Sequence, residues 1–412
     1  MNSPHDRNGD ASPLEQAQAK VAQACTAISA GFLGLAEVTQ TFYTTLVARE
    51  HLLMLGIHGI AKSALGDALF ATLPPGKQWG MQLMSDTPPS ALTGGLDIVR
   101  LRRDNEQWSN PVGSIREASY VKLTEVFKGP GPTLQSLLTI LNERRFEENG
   151  EVEDLPLEIA LGDSNELPGG RTDRVEPELR AMYDRFAVRF WLGRLSMPLR
   201  ARLRRMYATG QAGAGANVQL TREELDALRD RAKTMPWSEA ALRATDAIDA
   251  EVFGGNVSDI SERAWGKAMK LTAAAAAVAG ADEVLPEHLS ICVHVLWDVP
   301  DERAPVRTAV LRQACPDYET ATNLLDACHA AAEPVLMFLP SVANGSAGID
   351  EVHQVIDAQK RVATAGAGMK SLAGSAVEPM RAEAREVWAE LGDALAAYKA
   401  KAAAKIVAKE AF

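Results

Sequence analysis

The stretch Leu52 to Ser63, LLMLGIHGIAKS, limits what this chain can fold into more than any other. Four apolar residues run into a turn that holds Gly56 and Gly59 and ends in Lys62-Ser63. A helical pattern follows, with Ala64, Leu65, Ala68 and Leu69. Strand, glycine turn and helix in that order make a phosphate-binding loop, because backbone N–H groups of the turn and the helix N-terminus then face a polyphosphate. The candidate binding residues are Gly56, Ile57, His58, Gly59, Ile60, Ala61, Lys62, Ser63 and Ala64. Lys62 would reach the β/γ-phosphates, and the Ser63 hydroxyl would ligate Mg2+. Ala61 stands where the last glycine of the consensus usually stands. The competing reading is an ordinary strand-turn-helix with a surface lysine.

The rest of the chain narrows the class. Its 412 residues leave room for two or three domains with sizeable cores. A net charge of −11 argues against a dedicated nucleic-acid binder, though it leaves room for a local basic stripe. Cys25, Cys292, Cys315 and Cys328 lie far apart with no zinc spacing, so they read as free thiols of a reducing cytoplasm. No apolar run approaches the about 18 residues of a membrane span, and residues 1–13 carry no signal-peptide core. The expectation is a soluble, cytoplasmic protein.

Between Leu52 and Leu195 short apolar runs alternate with helical segments, which implies an α/β fold with a mostly parallel sheet. The expected strands are Leu52–Leu55, Gln82–Met84, Tyr120–Leu123, Leu157–Leu161 and Ala187–Phe190. Residues 1–13 are expected to be disordered, and 14–195 to form the nucleotide-binding core. A linker with connecting helices over 196–257 includes a capping box at Thr221 and Glu224. Helices should fill 258–323 and a C-terminal extension over 324–412, which ends in a long amphipathic helix marked by Val387, Leu391 and Leu395.

A phosphate loop needs partners at neighbouring strand ends. The run Tyr120 to Glu125 ends a buried-strand pattern on an acid, where a carboxylate polarises the water that attacks a γ-phosphate. Glu125 fits that role or is a solvated strand-end residue. The preceding position usually carries an aspartate for Mg2+, and here it is Thr124, whose hydroxyl brings no charge to the metal. Asn165, at the end of Leu157-Glu158-Ile159-Ala160-Leu161-Gly162-Asp163-Ser164, either fixes that water or caps a turn. Arg185 either serves a neighbour's nucleotide or pairs with Asp184. His288, His294 and His329 lie in helical patterns without matched carboxylates and read as packing or surface histidines.

In their order and spacing these segments resemble the MoxR family of AAA+ ATPases, in the branch typified by RavA. The residues that carry the resemblance are Thr124-Glu125-Val126-Phe127-Lys128-Gly129-Pro130, Leu134 to Phe146, Ser164-Asn165-Glu166-Leu167-Pro168 and Tyr183-Asp184-Arg185-Phe186. It spans about Glu37 to Trp297, and the family tolerates alanine before the loop lysine. The resemblance implies an AAA+ α/β core with an α-helical lid, binding ATP and Mg2+. Lys62 and Ser63 become Walker A, Glu125 the Walker B glutamate, Asn165 sensor 1 and Arg185 the arginine finger. Arg263, in Ser261-Glu262-Arg263-Ala264-Trp265, becomes a sensor 2 arginine acting in cis. Residues 94–116 match the helix-2 insertion of this clade. The family departs from this chain at Thr124, where it has aspartate. The implied activity is ATP hydrolysis by a ring, a hexamer, that remodels a partner with a von Willebrand factor A domain. A nucleotide-gated assembly module with slow or no hydrolysis is the alternative that Thr124 favours, and a scaffold with a vestigial site is a third.

Overall fold

Leu52, Leu53 and Leu55 are fully buried in the first strand, β1 (Leu52–Gly56). Burying a side chain of that size contributes about 1.5–3 kcal/mol, and a strand buried on both faces reads as a continuous apolar run. This computed structural model describes residues 11–57, 59–167, 177–195, 197–255, 257–258, 261–372 and 377–410. The disorder expected over 1–13 falls mostly outside them, although Ser12 caps the first helix.

Among the described residues six more strands follow: β2 (Gln78–Gln82), β3 (Tyr120–Thr124), β4 (Arg145–Glu148), β5 (Glu151–Asp154), β6 (Ile159–Ser164) and β7 (Val188–Leu192). Four of them and β1 form an all-parallel sheet in the order β2-β3-β6-β1-β7. β6 therefore lies between the loop-bearing strand β1 and the acid-bearing strand β3.

Two of the expected strands are displaced. The second runs Gln78–Gln82, not Gln82–Met84, because it is an edge strand alternating exposed and half-buried residues. An edge strand needs little apolar sequence. β6 begins and ends later than Leu157–Leu161, since Leu157 is buried in the approach to the strand and the polar end Asp163-Ser164 is buried too. The antiparallel β4–β5 hairpin was not expected at all. It turns at Asn149 and Gly150, with φ of 53° and 81°, the left-handed pair that suits Asn-Gly.

Helices α1 (Pro13–Gly31), α2 (Ala36–Val47), α3 (Lys62–Phe70), α4 (Pro89–Thr93), α5 (Ile98–Asp104), α6 (Gly131–Glu143), α7 (Pro177–Arg185), α8 (Met197–Ala208) and α9 (Arg222–Lys233) surround or follow the sheet. The capping box of α9 forms as expected, with Thr221 Oγ1 accepting from Glu224 N–H and Glu224 accepting from Thr221 N–H. α5 lies in the 94–116 segment, whose Arg116 pairs with Glu153 of the hairpin.

The chain divides into two compact units. The first holds Met1–Ser238 and Ser258–Arg303, and the second Glu239–Val257 and Ala304–Phe412. α11 (Glu262–Ala279) packs on α9 and α2 within the first unit. The second unit contains α10 (Glu239–Val252), α12 (Arg303–Ala314, from Ala304 on), α13 (Tyr318–Ala332), α14 (Leu339–Asn344), α15 (Ile349–Gly368) and α16 (Val377–Glu410). Its core gathers Cys328, Val342, Val355, Val362, Met369 and Leu391, with Val387 packed against it. The apolar stripe read along the last helix is thus the face that α16 buries. Among the described residues no helix is long and apolar enough to cross a membrane.

Candidate functional site

β1 ends at Gly56, where no side chain fits: φ is 137° and a Cβ would stand 2.1 Å from the Leu192 carbonyl oxygen. The loop then passes Gly59 at φ 82° and Ala61 at φ 54°, ψ 24°, and α3 opens at Lys62. A left-handed conformation costs an L-residue about 1–2 kcal/mol, which is why glycine is the usual occupant of position 61. The N-terminus of α3 has no side-chain cap, so its first N–H groups point at whatever lies beyond the loop. Ile57, Gly59, Ser63 and Ala64 are exposed and Ile60 is half-buried, while His58 lies outside the described residues.

Lys62 is only 8% exposed. Its ammonium donates to Gly56 O at 2.9 Å, Ser164 O at 3.2 Å and Asn165 Oδ1 at 3.1 Å. Burial pushes its pKa down, and the carboxylates of Asp163 and Glu125 oppose that shift.

Glu125 follows β3 at φ 56°, ψ 46°. A second left-handed, non-glycine residue is local strain of the kind that accumulates at functional sites. The turn brings a carboxylate that is 5% exposed back toward the sheet, where Oε1 accepts from the Asn165 side-chain amide. Among the described residues Oε2 has no hydrogen bond, and the Lys128 ammonium lies 3.4 Å away. Asn165 thus links the two charges, its oxygen taking the cation and its nitrogen giving to the carboxylate. The structure joins Lys62, Asn165 and Glu125 in one hydrogen-bonded chain, with Asn165 itself and the neighbouring Thr124 half-buried.

Asp163 belongs to this group, though no motif singles it out. It is 5% exposed and faces Thr124 in the strand register. The Thr124 side chain and the Glu125 backbone lie close enough to its carboxylate to favour the charged form. Burial raises its pKa, and the Lys62 charge works against that rise. The available signal was an acid inside an apolar strand pattern, Ile159-Ala160-Leu161-Gly162-Asp163.

Arg185 and Arg263 lie elsewhere. Both line a cleft of about 910 Å3 with Arg49, Glu50, His51 and Lys267. Residues 49–51 precede β1, so this cleft is at the opposite end of that strand from the loop, about 16 Å away at 3.3 Å per residue. Eight basic side chains and three carboxylates line it. Burial lowers the pKa of Lys267, and the nearby cations Arg189 and Arg185 lower it further, against Glu50 and Asp184. Arg185 Nε is buried with no hydrogen-bond partner among the described residues. The structure therefore places Arg263 beside the expected finger and not beside Lys62, because α11 packs on α9 and α2. This differs from the cis position that the resemblance implies.

Comparison with known proteins agrees with the geometry. Residues 19–230, half of the chain, match the model described as the MoxR domain in the MoxR-vWA-beta-propeller ternary systems, and residues 247–310 match an AAA lid domain. Two uncharacterized proteins of Methanocaldococcus jannaschii are similar. One is 28% identical over 66% of this chain and 68% of its own length, the other 27% identical over 68% and 72%. A crystal structure of a candidate ATPase from Cytophaga hutchinsonii shares the fold at a TM-score of 0.56 and 18% identity, covering 73% of this chain and 96% of that one. With a strand, a glycine turn and a helix opening at Lys62, a buried glutamate at the β3 end and a matching family domain, the chain belongs to the MoxR family of AAA+ ATPases.

Proposed function

We propose that the chain binds ATP with Mg2+ at Gly56–Ala64, hydrolyses it, and works as a ring whose nucleotide cycle remodels a partner protein. The observation that carries this reading is the hydrogen-bonded chain Lys62–Asn165–Glu125. Lys62 would exchange protein acceptors for phosphate oxygens, while Asn165 keeps hold of Glu125. Glu125 Oε2, which has no hydrogen bond among the described residues, would take the proton of the attacking water. Mg2+, when bound, neutralises charge on the phosphate oxygens, with Ser63 and Thr124 as the protein positions expected beside it. The residues fit such an ion: Ser63 is exposed at the start of α3, and the carboxylates of Glu125 and Asp163 are close enough to oppose the pKa shift of Lys62. Among the described residues no three His, Cys, Asp or Glu side chains form a metal cluster. The nucleotide's own phosphates would therefore complete the coordination.

The basic cleft supports the ring. Arginines 16 Å or so from their own loop act on a nucleotide only if a second subunit brings one to them. Closed rings arise from such head-to-tail contacts. The description of the matching family suggests a protein with a von Willebrand factor A domain as partner. Thr124 favours a second reading, in which ATP gates assembly and hydrolysis is slow.

A steady-state ATPase assay with and without Mg2+ tests the proposal, alongside Lys62→Ala and Glu125→Gln. Lys62→Ala should lose ATP binding, and Glu125→Gln should keep binding and lose turnover. A Lys62→Ala protein that binds ATP like the parent sinks the loop assignment. Nucleotide-dependent sedimentation without turnover selects the gating reading.

A further inference from the structure

Thr124 leaves the β3 end without the carboxylate that a Mg-nucleotide site needs there, and the structure holds an unassigned carboxylate one strand away. Thr124 and Asp163 are register partners on adjacent parallel strands, so both side chains leave the sheet on the same face. That face is the one α3 covers. A Cβ on Gly66 would lie 3.4 Å from both Leu161 and Lys122, the residues two positions before Asp163 and Thr124. Lys62 and Ser63 stand one turn before Gly66, and the Lys62 ammonium reaches the Ser164 carbonyl, next to Asp163. The Asp163 carboxylate is 5% exposed and has the Thr124 side chain as its neighbour across the register. A carboxylate offers about four acceptor positions, so an orienting hydroxyl leaves capacity for the outer coordination sphere of a cation.

We propose that Asp163 is the carboxylate that serves Mg2+ at this site, with Thr124 as the hydroxyl that orients it. The acidic function has moved from β3 to β6 without changing the charge of the site. Glu125 and Asp163 still supply two carboxylates beside one lysine. Asp163 is in this sense a positioning residue for the ion, acting from the outer sphere. This inference rests on the ATP-binding reading above and adds to it the residue that holds the ion.

The test compares ATP affinity in EDTA with affinity in Mg2+, using a fluorescent ATP analogue, and follows Mn2+ by electron paramagnetic resonance in the presence of ADP. Asp163→Asn should lose ~10–100-fold in metal affinity, the usual cost of removing an outer-sphere partner. Its metal-free ATP affinity should be equal or tighter, because a negative charge has left the neighbourhood of the phosphates. Relocating the carboxylate, with Thr124→Asp and Asp163→Thr together, should restore the Mg2+ enhancement. Thermal melts of both variants report whether the fold survives. An Asp163→Asn protein that keeps the parent's Mg2+ enhancement overturns the inference. Weaker metal-free ATP binding in Asp163→Asn also overturns it, since the carboxylate would then be supporting Lys62 and the loop. Failure of the relocated pair to restore the enhancement counts against it equally when that pair melts like the parent. If the parent binds ATP with no Mg2+ enhancement, only this inference falls; if the parent binds no ATP, the site reading falls with it.

Discussion

Asn165 donates its side-chain amide to Glu125 across the ends of β6 and β3, and the same amide accepts Lys62 at 3.1 Å. One neutral residue therefore holds apart a buried cation and a buried carboxylate that would otherwise pair with each other.

Asn165→Ala should uncouple them. A buried carboxylate that loses a hydrogen bond pays about 1–3 kcal/mol or more in desolvation, so Glu125 should turn toward Lys62. Hydrolysis is expected to fall at least ~10-fold, as one step of 1.36 kcal/mol in the barrier implies. ATP binding should change far less. Single-turnover and equilibrium binding measurements on the same preparation separate the two effects.

The shared cleft of Arg185 and Arg263 makes a prediction about mixed rings. Lys62→Ala mixed with Arg185→Ala should recover activity, because some interfaces pair an intact loop with an intact cleft. Lys62→Ala mixed with Arg263→Ala should recover as well. Arg185→Ala mixed with Arg263→Ala should not, since every cleft then lacks one arginine. Charge stabilisation by a finger is worth ~10³ or more in rate, so recovery is easily read. A cis-acting Arg263 would give the reverse pattern for the last two mixtures, and a protein that stays monomeric with ATP bound would end the ring proposal.

Ala61 should improve on replacement by glycine. Its left-handed backbone costs about 1–2 kcal/mol, and glycine gives back roughly 0.5–1 kcal/mol in chain entropy. Ala61→Gly is thus expected to stabilise the fold by about 0.5–1 kcal/mol in urea unfolding. Ala61→Val should destabilise it, because a β-branched side chain resists φ of 54° more than alanine does.

His51 should make the fold acid-sensitive. Its ring is fully enclosed, with Nδ1 accepting from Ala160 N–H at 3.1 Å and the Nε2 hydrogen donated to Leu141 O at 2.8 Å. Burial, helped by the Arg144 charge, pushes its pKa down to about 3. The folded ring stays neutral while the unfolded one takes a proton below about 6.5. Stability from this group is complete above pH ~6.5 and is lost as the pH falls toward 3, by at most about 1.4 kcal/mol per unit. His51→Gln keeps a donor and an acceptor without titrating. Its urea midpoint should drop less than the parent's between pH 7 and 5, and an equal drop would clear His51 of the effect.

Legibility in the sequence followed contiguity. The loop strand, α3, Glu125 and Asn165 were readable because each is a strand end whose chemistry lies in adjacent residues. Asp163 was not, since its significance comes from facing Thr124 on another strand, a relation that only the β3–β6 register creates. Arg263 was readable as a residue and not as a place, because the packing of α11 on α9 and α2 decides which end of the sheet it occupies. The edge strand β2 was displaced because glutamines at both its ends hide it from an apolar count, and the β4–β5 hairpin was legible only in its Asn149-Gly150 turn.

β1 has the Gly56–Ala64 loop at one end and the arginine cleft at the other, and both ends are tied down. Gly56 is pressed against Leu192, and His51 is bonded to Ala160 and Leu141. A strand so held is a strut five residues long. In a ring it would carry a subunit's own nucleotide at one tip and its neighbour's at the other. Each hydrolysis event would then push on the next through covalent backbone, which gives successive firing around the circle a mechanical route that needs no refolding of the sheet.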